Sequence, residues 1–429
     1  MLILYLITLM KNSKYLHFRK IIFLLVFNFL WGQQNAYEIK LNIYPKNNNF
    51  WWLNNNNDGR KVDKSSIDLQ WQVENHKTKY QIIITNAYSD KNNIQLGESF
   101  IFKEISNDIS IKIGKYYRDF SLYLNDNLSS GSMLISRNAE PMPKIGILGS
   151  FKLKKNISFN WGVSHAQFDK NEFYSDGPYL HEKFLYLKYK KNNNSIGLGF
   201  VHEAMWSGTT SMGYNQGKQP GKFTDFLKVI ISADGPLREG EVHANAIGNH
   251  LGIWDFYYQK TNNNQIIKLY YQHFFEDTSS LRFANKIDGL WGIELENYLS
   301  NTNLLLEYLD TSNCCIDPPY QSDQYYYNYQ YRSGWSYKNN ILGNPFVNSE
   351  GYQLGDVELT KLLHLGIESK IKSNTFQLKA ARRIDISDDM KFKISINKNL
   401  DQLDLKIFIV GNEQNTAAGI SVAYLFNGN

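Results

Sequence analysis

KFKISINKNLDQLDLKIFIV, residues 391–410, holds the pattern that decides the fold. Successive side chains on a strand point to opposite faces. Read that way, Lys391, Lys393, Ser395 and Asn397 share one face, and Phe392, Ile394 and Ile396 share the other. Gln402, Asp404 and Lys406 then alternate with Leu403, Leu405, Ile407 and Ile409. Downstream, Ile420, Val422, Tyr424 and Phe426 oppose Gly419, Ser421 and Ala423. Upstream, Thr375, Gln377, Lys379 and Arg383 oppose Phe376, Leu378 and Ala380, while His364 and Glu368 oppose Leu363, Leu365 and Ile367. Segments of about ten residues with one apolar and one charged face are the signature of a membrane barrel, apolar toward lipid and polar toward the lumen. A soluble β-sandwich shares the period but turns its polar face to water.

The same alternation runs through the aromatic stretch 245–346. Lys268, Tyr270, Gln272 and Glu276 face away from Ile267, Leu269, Tyr271 and Phe275. Trp291, Ile293 and Leu295 oppose Glu294 and Glu296, and Leu304, Leu306 and Tyr308 oppose Glu307. Acids therefore collect on the lumenal side.

The N-terminus carries Lys11, Lys14, Arg19 and Lys20 before an apolar run at 21–31 and Gly32. This is the order of a secretory signal peptide, and the run is too short to span a bilayer as a helix of about 20 residues. Residues 1–32 are assigned to it, and the apolar piece 1–9 fits a mis-assigned start and a real extension equally well. Beyond it no segment is apolar enough for a spanning helix, so an integral membrane protein of this sequence is a barrel. Aromatics make up 15% of the chain, which suits interfacial girdles and sugar-binding surfaces alike. The net charge of +5 reads as a solvated surface, with no nucleic-acid partner expected. Cys314 and Cys315 are neighbours, and a bridge between adjacent residues is strained. They form no scaffold, and no metal-ligand spacing or cofactor motif is present.

Residues 33–65 read as an irregular Asn-rich segment around Phe50, Trp51 and Trp52. From 66 to 429 the chain reads as one all-β transmembrane antiparallel barrel of roughly eighteen strands, counted from the alternating segments and their turns. Strand-like segments include 131–138 and 226–232. A barrel that wide needs in-folded segments to fill it. The stretch 310–359, with Pro318, Pro319, a Tyr cluster and no alternation, is the expected plug.

The chain resembles the Wzi capsule assembly family in its Bacteroidetes form. The resemblance rests on SRNAEPMPKIGI (136–147), HEAMWSG (202–208), DFLKVIIS (225–232), NAIGNHLGIWDF (245–256) and YYQHFFED with LRFANKIDGLWGIE (270–294). It continues through LLLEYLDT (304–311), YRSGWSY (331–337) and ILGNPF (341–346). It implies an outer-membrane barrel of the Gram-negative surface that behaves as a lectin and retains capsular or extracellular polysaccharide, without catalysis. Its partners would be that polymer, outer-membrane lipid and the polysaccharide export machinery. One departure is that enterobacterial members carry a periplasmic helical bundle near the N-terminus, whereas 33–65 shows no helical period.

Saccharides are held by aromatic faces together with carboxylates and amides that take the hydroxyls. The candidates are Trp206, Trp254, Asp255, Glu294, Glu296, Glu307, Tyr326, Tyr327, Arg332 and Trp335. Set against this, the Trp residues suit a lipid-facing girdle or a plug, and the acids suit a lumenal network with Lys268, Arg282 and Arg332. Paired carboxylates also raise glycoside hydrolysis, but lumenal acids are ordinary in barrels, so no enzyme and no catalytic residue is expected. His202 with Glu203, and His273 with Glu276, are poor metal pairs because neighbours on strands diverge. A diffusion porin is the alternative function, and a soluble sandwich the third.

Overall fold

The computed structural model describes residues 34–43, 55–60, 65–75, 78–87, 93–213, 216–236, 245–276, 281–313, 325–347, 359–386 and 390–427. The expected signal peptide, Phe50, Trp51, Trp52, Cys314 and Cys315 lie outside them.

The described chain is a closed antiparallel barrel of 18 strands. In chain order these are Gln34–Ile43 (β1), Ser66–Asn75 (β2), Thr78–Ala87 (β3), and β4, which is interrupted into Asn93–Leu96 and Ser99–Glu104. Then come Ile109–Tyr116 (β5), Met142–Lys154 (β6), Ile157–Gln167 (β7), Tyr179–Lys191 (β8), Asn194–Trp206 (β9), Asn249–Asn262 (β10), Gln265–Phe275 (β11) and Gly289–Leu299 (β12). Thr302–Asp310 (β13), Lys361–Ile371 (β14), Asn374–Arg383 (β15), Lys391–Leu400 (β16), Leu403–Gly411 (β17) and Thr416–Asn427 (β18) complete it. Each strand pairs with its sequence neighbours, and β1 closes the ring by pairing with both β2 and β18.

Parity fixes what each face meets. Ile145, Ile147, Leu185, Leu187, Ile196, Leu198, Ile293, Leu306, Leu363, Ile394, Ile396, Ile407 and Ile409 all stand exposed on the outer wall. A continuous apolar belt of this extent has no place on a soluble protein and is the lipid-facing band of a transmembrane barrel. Short turns join β6 to β7, β8 to β9, β10 to β11 and β12 to β13 at one end, and the long connections at 117–141, 207–248 and 311–360 all leave the other. Outer-membrane barrels turn their short connections to the periplasm, so the long ones mark the external end.

Three sequence expectations change. Residues 34–43, read as irregular, form the closing strand; their alternation of Tyr37, Ile39 and Leu41 with Glu38, Lys40 and Asn42 was hidden by Asn-rich flanks. Residues 131–138 form no strand and lie inside the barrel. Residues 226–232 belong largely to the helix Phe223–Ile230 (α1), which packs Phe226 and Val229 against Ala204 and Trp206 on the outer wall. A short apolar run fits a helix as well as a strand, and period alone does not separate them.

Candidate functional site

The centre of the barrel is filled by 117–141, the connection between β5 and β6. It carries no alternation, and its sequence is rich in Ser and Asn, residues that supply hydrogen-bond donors. The wall supplies the acceptors. Glu307 receives Ser129 Oγ and the Ser130 N–H, each at 2.6 Å, and also Tyr270 OH. Asp255 receives Ser121 Oγ, Tyr123 OH and Tyr186 OH. Glu294 receives Asn125 Nδ2 at 2.7 Å and Lys268 Nζ at 2.7 Å, and the same ammonium reaches Glu296 at 3.3 Å. Gln272 Oε1 accepts from the Met133 N–H at 2.9 Å. From the opposite arc, His364 Nε2 donates to the Leu128 carbonyl and Lys379 Nζ to the Ser129 carbonyl, at 2.6 and 2.9 Å. Buried carboxylates are tolerated only when paired and hydrogen-bonded, and here the plug completes them.

Glycines on the wall let the tyrosines reach. Gly292 lies directly across from Tyr270 and Gly199 across from Tyr186. A Cβ at either glycine would sit inside the ring of its partner, 2.0 Å from Tyr270 and 2.3 Å from Tyr186. Each ring therefore lies flat over a glycine and carries its hydroxyl to Glu307 or Asp255.

A lid, 325–347, sits on the external side of this plug. Trp335 Nε1 donates to the Leu134 carbonyl at 2.8 Å, Tyr326 OH to the Met133 carbonyl at 2.5 Å and Asn344 Nδ2 to the Gly131 carbonyl at 2.8 Å. Ser136 returns a bond from its N–H to the Leu342 carbonyl at 2.8 Å. Tyr326 adopts a φ of 69°, uncommon for a bulky residue, and is held there by Trp335 N–H donating to its carbonyl. Burial raises its hydroxyl pKa, so it remains a donor. At the rim Asp288 accepts from Asn313 N–H and from Tyr325 OH, both at 2.9 Å, while burial pushes its carboxyl up to about 6.

The ten candidates separate by depth. Asp255, Glu294, Glu307, Tyr326 and Trp335 are at most 1% exposed, and their polar atoms are engaged within plug and lid. Glu296 is half-buried beside Glu294 on Lys268, the shared face that parity implied. Trp206 and Trp254 are on the outer wall: Trp206 stacks on Phe226 of α1, and Trp254 beside Phe200 donates to the Leu281 carbonyl at 3.2 Å. Tyr327 and Arg332 remain partly exposed on the lid, where the guanidinium lies over the Tyr327 ring at 5.1 Å and donates to its hydroxyl. Arg332 thus does not join the lumenal acids as expected. His202 faces outward and Glu203 inward; His202 contacts His250 (3.0 Å) and Ser232, near the C-terminal end of α1. Among the described residues no group of three or more His, Cys, Asp or Glu is arranged to hold a metal. Sequence reasoning missed the plug 117–141, whose signal was a donor-rich loop without period.

The family described as "Capsule assembly protein Wzi" matches residues 52–364. No curated protein gives a match. Solved structures similar to this chain include Pseudomonas aeruginosa OccK7 (OpdD), at 9% identity and a TM-score of 0.41, covering 92% of this chain and 99% of that one. Pseudomonas aeruginosa OpdO gives 9% and 0.40, with 92% and 97% covered. A mutant porin of Rh. blastica gives 8% and 0.39, with 92% and 99% covered.

Proposed function

Since the chain belongs to the Wzi family of capsule assembly proteins, we propose that it is a lectin-like barrel of the outer membrane that holds capsular or extracellular polysaccharide at the cell surface. The observation that carries this reading is the plug and lid. Asp255, Glu294 and Glu307 are used up in fixing 117–141, and the lid is bonded onto it, so over the acidic arc the external end presents a built surface where an open porin would present a mouth. Partly exposed on that surface are Tyr327 and Arg332, with Tyr329 exposed beside them. An aromatic face and a guanidinium fork suit a sugar ring and its hydroxyl or carboxylate groups. Rigid aromatics lose little entropy on binding, and the hydrogen bonds beneath the lid supply that rigidity. Docking of export machinery would use the short periplasmic turns.

The test is polymer retention. Deleting the protein is expected to release polysaccharide into the medium without stopping its synthesis, and Tyr327→Ala with Arg332→Ala is expected to reproduce much of that release with the barrel still folded. Equal cell-bound and released polymer in deletion and wild type would refute the reading. A steady open conductance of the wild type in planar bilayers would put the porin reading first.

A further inference from the structure

We infer that the lumenal wall between β15 and β1 is a second binding site, specific for an anionic saccharide segment that enters from the cell surface. The charge of the lumen is divided. On one arc Lys112, Lys144 and Lys268 each pair with a carboxylate, Asp119, Glu182 and Glu294, at 2.7–2.8 Å. On the other arc Lys379, Lys393, Lys406 and Lys40 point inward from β15, β16, β17 and β1, and among the described residues none of them forms an ion pair. Lys379 stands directly across from Lys393 in the ladder. Like charges directly opposed on one face of a sheet are destabilising. The charged groups acting on Lys393 are Lys406, Lys379 and Lys40, all of its own sign.

Among the described residues the acids of this arc form no ion pair with them. Asp68 is held by Arg60 and Asn42, and Glu368 accepts from Gln377 at 2.7 Å. Asp404, the second residue of β17, lies across Ala423 in the same ladder row as Lys40, and Glu38 lies one inward step nearer the periplasm than Lys40.

Two further features make the arc reachable. The inward residues of β18 are Ala417, Gly419, Ser421 and Ala423; the Phe408 ring lies over Gly419, with Lys393 Nζ 5.5 Å from its centroid, and the small Ser421 and Ala423 separate Lys406 from Lys40. Above β15 to β18 the external connections, 384–390 and 412–415, are among the shortest at that end, whereas residues 55–60 of the connection after β1 bond to the plug at Ser130 and Arg137, and the connections over the acidic arc fold inward as plug and lid. All four lysines keep partial solvent access. Lys379 and Lys393 stand one inter-strand step apart, about 5 Å, whereas Lys406 lies one step across and four residues along from Lys393, about 14 Å, and Lys40 two steps across and two residues along from Lys406, about 12 Å, a spread that a run of several sugars bearing acidic groups can span.

The test uses the detergent-solubilised full-length mature protein and isothermal titration with tetragalacturonate, a defined acidic oligosaccharide, against maltotetraose as its neutral counterpart. Wild type is expected to bind the acidic probe, less tightly as salt rises, and to ignore the neutral one. Lys393→Gln with Lys406→Gln, neither of which bonds the plug, is expected to weaken the acidic probe about tenfold or more. The same double variant is expected to unfold at an equal or higher temperature, because it relieves the opposed pair. That outcome separates lost binding from a damaged barrel. Wild-type affinity in the double variant, equal binding of maltotetraose, or no binding of tetragalacturonate by wild type would overturn the inference. Cell retention reads the lid and this titration reads the wall, so either proposal can fail alone.

Discussion

Glu307→Ala is the most direct way to ask whether the lumenal acids hold the plug. The carboxylate is 1% exposed and takes Ser129 Oγ, Ser130 N–H and Tyr270 OH. A buried donor left without a partner costs about 1–3 kcal/mol. Three such donors would sum to about 3–9 kcal/mol, but the space vacated by the side chain admits water, so the lower bound of about 3 kcal/mol is the working figure. At about 1.4 kcal/mol per decade, that shifts the plug-release equilibrium roughly a hundredfold. The assay is hydrogen exchange of backbone amides in 125–135, with Ser130 and Met133 as reporters, since their N–H groups donate to Glu307 and Gln272. Exchange there is expected to quicken about a hundredfold while strand amides keep their protection, because the inter-strand ladder does not use the carboxylate. Unchanged exchange at 125–135 would refute the clamp. An equal acceleration of the strands would also refute it, by assigning Glu307 to the barrel as a whole.

Trp335→Ala removes a fully buried ring and its bond to the Leu134 carbonyl. Large-to-small changes of this kind cost about 3–5 kcal/mol, and protease cleavage within 325–347 is expected to rise, read by mass spectrometry; cleavage at the wild-type rate would show that the lid is held elsewhere. Asp288 gives a pH dependence. Its carboxyl is raised from 3.8 to about 6 in the folded protein, so the folded state binds the proton more tightly than the unfolded one. Its effect on stability therefore falls as pH rises from about 4 through about 6 and is flat above. Cleavage of the lid at residues near Tyr325 is expected to be slower at pH 5 than at pH 7.5, with Asp288→Asn removing the difference; a difference that survives in the variant would assign the titration to another group.

The strands and the inward direction of Glu294, Glu296, Glu307 and Lys379 were legible because period two is a local property. Each side chain's face follows from its own position in the strand. The plug was not legible in that way. Its bonds join residues far apart in sequence, Tyr123 with Asp255 across 132 positions and Ser129 with Glu307 across 178. No window contains both partners. Expecting in-folded chain at 310–359 followed from the lack of alternation there, and the same lack marks 117–141.

The site candidates show why the chemistry misled. Aromatic rings beside carboxylates are what a sugar needs, and they are also what a buried donor-rich loop needs. What separates the two readings is the supply of donors within the chain itself. SLYLNDNLSSGSMLISRN, residues 121–138, brings Ser121, Tyr123, Asn125, Ser129 and Ser130 to Asp255, Glu294 and Glu307. Acids with so many internal donors have no capacity left for a ligand. Lys393 and Lys406 lie on the other side of the same accounting, since they face the lumen and no carboxylate in the described chain forms an ion pair with them. Where Asp255, Glu294 and Glu307 are saturated by the plug, the lysines without an ion pair are the better guide to where an anionic ligand sits.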